Sequence, residues 1–97
     1  MTETAADAFA RIEELIAEAS EPFEMMHTAA RRLVIRATRE APISAALSLA
    51  IDEFHANLEY MTLMVELHGR EQVNLPAHQS NCRAALRVVK AICWRMN

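Results

Sequence analysis

The chain has 97 residues, a net charge of −3, 53% apolar residues and 24% charged residues. That length suits one domain with one modest core and is too short for two. The composition excludes a disordered chain, and no apolar run nears the ~20 residues of a membrane span. The acidic start MTETAADAFARIEEL carries no signal-peptide pattern, so a cytoplasmic protein with two reduced cysteines is expected.

Gly69 is the single glycine. Tight β turns and phosphate-cradling loops need several. The expected fold is therefore all-α, a small four-helix bundle over residues 1–97 with a long third helix. The first helix is expected near 4–19, capped by Thr2 or Thr4. Its apolar stripe is Phe9, Ile12, Ile16 and Ala19, with Leu15 beside it. Pro22 marks the start of a second helix near 21–40, since proline fits a first helical turn, and Ser20 is its expected cap. The stripe there is Phe23, Met26, Ala30, Leu33, Val34 and Ala37.

A third helix is expected near 43–68, beginning at Pro42 or running on from the second through a kink there. Leu47, Ile51, Phe54, Leu58, Met61 and Val65 recur at spacings of four and three. Gly69 is expected to close this helix in the left-handed conformation. Asn74 and Pro76 open a fourth helix near 75–96, with Cys82, Ala85, Leu86, Val89, Ile92, Cys93 and Met96 on its stripe. Four one-sided stripes make a bundle.

Charge alternates along the chain. Residues 1–24 carry seven acids and one arginine, residues 25–40 four arginines and one acid, residues 41–68 four acids, and residues 69–97 five cations and one acid. Such alternation suits neighbouring helices of one bundle. Exposed pairs stabilise by only about 0–1 kcal/mol each, yet they can select which helix lies beside which.

Three chemical readings are weak. Arg83, Arg87 and Lys90, with Trp94 a turn further on, could form a phosphate-contacting stripe. Against nucleic-acid binding stand the acidic chain and its few aromatics. The plainer reading packs Trp94 under Arg87 or Lys90. His78 with Cys82, and His55 with Glu59, each supply only half of a zinc site, so no metal or other cofactor is expected. Arg31, Arg32 and Arg36 could hold a dicarboxylate, as in the helical chorismate mutases, which leaves a small enzyme or ligand binder as an alternative. No nucleophile arrangement is visible, so the expectation is a non-enzyme.

The stretch 59–69, EYMTLMVELHG, is the most informative. Tyr60, Leu63, Met64 and Leu67 fall off the core stripe, on a second apolar face with Leu49 and Ala56. Only Ser48, Asp52, His55, Glu59, Thr62 and Glu66 remain as a polar strip. A helix apolar nearly all round is either central in its fold or covered by another chain. Met25, Met26, Met61 and Met64 add thioethers of the kind that suit adaptable binding surfaces. Ile35 among Arg31, Arg32 and Arg39 resembles an interface centre with a polar rim. Tyr60, Leu63, Met64 and Leu67 are therefore the candidate partner-binding residues, with Ile35 and Trp94 secondary, and a homodimer is expected.

A small acidic helical chain reading RIEELIAEASEPFEMMHTAARRLVIRATRE over 11–40, followed by a long apolar helix, resembles the QslA-type antiactivators of quorum sensing. The resemblance covers most of the chain and has no diagnostic motif. It implies a cytoplasmic inhibitor that binds a LuxR-type transcription regulator such as LasR at its dimerisation surface. The regulator would then lose both its dimer and its grip on DNA. No individual residue role follows from it.

Overall fold

The computed structural model describes residues 4–95; Thr2 and Met96, named above as a cap and a core residue, lie outside them. The described residues hold four α-helices and one 3-10 turn: α1 Ala5–Glu18, α2 Phe23–Thr38, α3 Ala45–His68, the 3-10 turn Arg70–Gln72, and α4 Leu75–Arg95. The all-α bundle expected from the sequence is what forms.

Local chemistry sets the helix starts. Thr4 and Asp7 exchange hydrogen bonds at α1, each side chain accepting from the other's backbone N–H at 3.1 and 3.3 Å. Two otherwise unbonded donors are thus satisfied. Ser44 Oγ accepts from Leu47 N at 3.1 Å and starts α3. Asn74 Oδ1 accepts from Ala77 N at 3.2 Å and starts α4, with Pro76 in the first turn.

Two proline readings need correction. Pro22 is the N-cap residue of α2, outside the helix, and no side chain caps that end, so Ser20 does not serve there. Pro42 lies two residues before the Ser44 cap, in a break that separates α2 from α3. Residues preceding a proline avoid the helical region, and a serine shortly afterwards offers a better start. Gly69 ends α3 with φ +83, as only glycine readily can, but its ψ of 148 is extended and so not left-handed helical. The left-handed helical cap belongs to Ala19, which closes α1 at φ 43, ψ 51.

Long-range bonds stitch that end of α1 into place. Arg70 donates to Ala19 O at 2.7 Å, and Gln79 Nε2 donates to Ile16 O and Ala17 O at 2.8 and 3.1 Å. The last carbonyls of a helix lack internal partners, and here the turn before α4 and α4 itself supply them. The Arg70 guanidinium also lies over the Phe23 ring, 5.7 Å from its centroid.

Successive helices pack side by side, α1 on α2 and α3 on α4, and the two hairpins join through α2 with α3 and α1 with α4. Phe9, Ile12, Ile16, Phe54, Leu58 and Met61 are the largest side chains sealed between them. The stripes read from sequence are the core, with Leu15, Ile51, Ala85 and Ile92 half-buried at its edge. Met26 and Met61 lie in the core, so half of the proposed methionine surface is interior. Thr62 is buried too, not part of a solvated strip. Its hydroxyl donates to Leu58 O at 2.9 Å, which satisfies the group within its own helix.

Both cysteines are buried and unpaired. Burial pushes the Cys82 thiol up to about 11, and raises that of Cys93 as well. The thiolate is the reactive form. A thiol-reactive disulfide reagent should therefore leave both untouched in the native protein at neutral pH and modify both in denaturant. Rapid native labelling of Cys82 would contradict the packing of α4.

Candidate protein-binding face

α3 is the longest helix, with 24 residues against 14 in α1 and 16 in α2. At 1.5 Å per residue it spans ~36 Å and outreaches both. Its close neighbours are α2 and α4, and α1 adds little to its packing. It is therefore one wall of the bundle and not a helix enclosed by three others. Among the described residues no helix covers its second apolar face.

That face carries most of the candidate residues. Tyr60, Leu63 and Leu67 are 54%, 47% and 65% exposed, in line with exposed Leu49 and Ala56. The Tyr60 ring is held by an edge contact to His78 of α4, with centroids 5.3 Å apart. A fixed aromatic costs less to order on binding. Met64 differs from its neighbours: it is half-buried. A furrow of about 300 Å³ runs between α3 and α4, lined by Ala50, Glu53, Asn57, Ala84, Ala85 and Val88 among others. The small alanines leave this space.

The secondary candidates lie elsewhere. Ile35 is exposed on the outer face of α2. Trp94, near the end of α4, is half-exposed and packs edge-on against Phe9 of α1 at 5.5 Å. The structure thus gathers Tyr60, Leu63 and Leu67 on one line and leaves Ile35 and Trp94 apart from it. Leu49 and Ala56 extend that line, and exposed Ile43 lies just before α3.

The basic stripe of α4 is partly committed to the fold, because Lys90 Nζ lies 3.2 Å from Glu13 Oε1 of α1. Arg32 and Arg36 line a groove of about 410 Å³ between α1 and α2 with Arg11, over Leu15, Ala29 and Leu33. Arg11 is drawn to α1's own acids, 2.9 Å from Glu14 and 3.9 Å from Glu18. Among the described residues no cluster of three or more histidines, cysteines or acids could hold a metal ion.

Two histidines sit at the seam of α2 and α3. The Nε2 atoms of His27 and His55 are buried without a hydrogen-bond partner. Both rings titrate below the ordinary 6.5, first because burial penalises the cation and then because Arg31 is close. Glu59 opposes the effect at His27, and Asp52 at His55, where His27 adds to it. The unfolded chain therefore takes up these protons first as pH falls. Stability should be level above about pH 7 and decline below 6.5, through the lowered native values. Melting temperatures from pH 8 to 5 check this. The double variant His27→Gln/His55→Gln should flatten the decline, and an unchanged slope would exclude these rings as its source.

Comparison of the chain with family models, with curated proteins and with solved structures finds no match. Among the described residues no helix is long and apolar enough to cross a membrane.

Proposed function

We propose that this chain is a cytoplasmic protein–protein interaction module that inhibits a transcription regulator, by binding it and blocking its dimerisation and DNA binding. The observation that carries the interaction reading is the line Leu49, Ala56, Tyr60, Leu63 and Leu67. It faces outward on a helix whose inner side already supplies its share of the core. Isolated exposed leucines are ordinary, but a row of them along one helix marks a surface for another chain. The regulator as target comes from the resemblance to quorum-sensing antiactivators.

The mechanism is competition for a helix-lined surface. A regulator that dimerises through apolar helices presents the kind of groove that an outward apolar helix can occupy. Binding there removes the second regulator subunit and with it half of the DNA contacts. The test is a purified LuxR-type regulator bound to its operator DNA. Near-equimolar chain should release the DNA and convert the regulator dimer to a mixed complex. Retention of the dimer on DNA at large excess would refute the proposal.

A further inference from the structure

The outer face of α3 has a seven-residue register. Leu49, Ala56 and Leu63 are seven apart, and Glu53, Tyr60 and Leu67 follow each by four. That is the spacing of a coiled-coil seam, with the first set at d and the second at a. In this register Asp52, Glu59 and Glu66 all occupy g, and Ala50, Asn57 and Met64 occupy e. One edge of the seam is therefore a row of three carboxylates, ~10.5 Å apart at the helical rise. The other edge is uncharged, and its Ala50 and Asn57 line the furrow against α4, which Glu53 of the seam also borders.

The three carboxylates are exposed, and none is held in a hydrogen bond or salt bridge among the described residues. Arg31, on the neighbouring face of α2, closes no ion pair with them. Glu53 adds a fourth acid within the seam itself. A partner that covered it would strand a charge unless it brought a cation.

Charge decides the occupant. A second copy laid α3 on α3 in antiparallel sense would set the acidic row against itself. In parallel sense it would set the row against uncharged e positions. Neither gives the acids a partner, and like charges at these positions select against pairing. A helix with lysine or arginine beside its own apolar stripe satisfies all of them.

We propose that the outer face of α3 is a coiled-coil-type docking strip for an amphipathic helix of another protein that carries basic residues flanking its apolar stripe. This rests on the reading of that face as partner-binding and adds the chemistry of what binds. The furrow along Ala50 and Asn57 gives the docked helix room on that edge, and the Asp52–Glu59–Glu66 row fixes its register on the other.

The probes are peptides of about 21 residues, three heptads, with leucine at a and d. One has lysine at e and g, one has glutamate there, and one is a scramble of the lysine peptide. Binding to the full chain is measured by fluorescence anisotropy at about 50 and 300 mM NaCl. The lysine peptide should bind at least tenfold tighter than the glutamate peptide, and the scramble should not bind. Asp52→Lys/Glu59→Lys/Glu66→Lys should reverse the order, with folding checked by circular dichroism. Glu59→Lys alone should shift it the same way and serves if the triple variant does not fold. Equal binding of the two heptad peptides would overturn the charge inference while leaving the face a docking surface. Scramble binding as tight as the lysine peptide would overturn it as mere attraction between opposite charges. Failure of every peptide to bind would overturn the strip itself. A stable dimer lost on Leu63→Asp would assign the face to a second copy.

Discussion

Phe54→Ala is expected to remove most of the stability of the chain. Phe54 is fully buried on the inner side of α3, where α2 and α4 close over it. Truncating such a ring costs about 3–5 kcal/mol. A domain of this size has about 5–15 kcal/mol in total. The melting temperature should fall by at least about 12 °C, since each kcal/mol shifts it by ~4–8 °C at this size. Leu49→Ala on the outer side of the same helix should stay within about 0.5 kcal/mol of the wild type. Thermal melts followed by circular dichroism compare the two. Equal losses would mean that α3 is enclosed on both sides.

Leu63→Asp/Leu67→Asp is expected to do the opposite, abolishing association while the fold persists. Both leucines are exposed, and neither belongs to the buried cluster. Anchor residues at the centre of an interface cost about 2 kcal/mol or more each when lost. Together they should weaken binding of the regulator, or of the lysine-rich peptide, by about a hundredfold or more. The new carboxylates also lie beside Glu59 and Glu66 and so raise the local repulsion. Helicity and melting temperature should stay near those of the wild type. A collapse as large as that of Phe54→Ala would make these leucines core residues.

A homodimer that lays α3 on α3 is disfavoured by the acidic row. The patch around Ile35, ringed by Arg31, Arg32 and Arg39, is an exposed apolar spot on α2. Its charge opposes that of the α3 row, so the two faces do not compete for one partner.

Much of this fold is legible in the sequence. A single glycine, three prolines and spacings of three and four lead to four helices, because they report backbone freedom and one-sided burial directly. The surplus apolar face of α3 was legible for the same reason. Whether that face is enclosed was not, since it depends on which helices touch, and α1 turns out to pack on α2 and α4. Thr62 and the methionines mislead because residue type does not report environment. A threonine hydroxyl can bond its own helix and enter the core, and a thioether fills an interior gap as readily as a surface. The row Asp52, Glu59 and Glu66 was visible as part of a polar strip. Its seven-residue period became informative only once Thr62 dropped inward and His55 turned toward α2.

Amide chemical-shift mapping of the labelled full chain, titrated with the lysine-rich heptad peptide, locates the docking strip residue by residue. The perturbed amides should follow α3 from Leu49 through Ala56, Tyr60 and Leu63 to Leu67, with a weaker response along the α4 side of the furrow. Shifts confined to the arginine-lined groove between α1 and α2, or none at saturating peptide, would contradict a docking strip on α3.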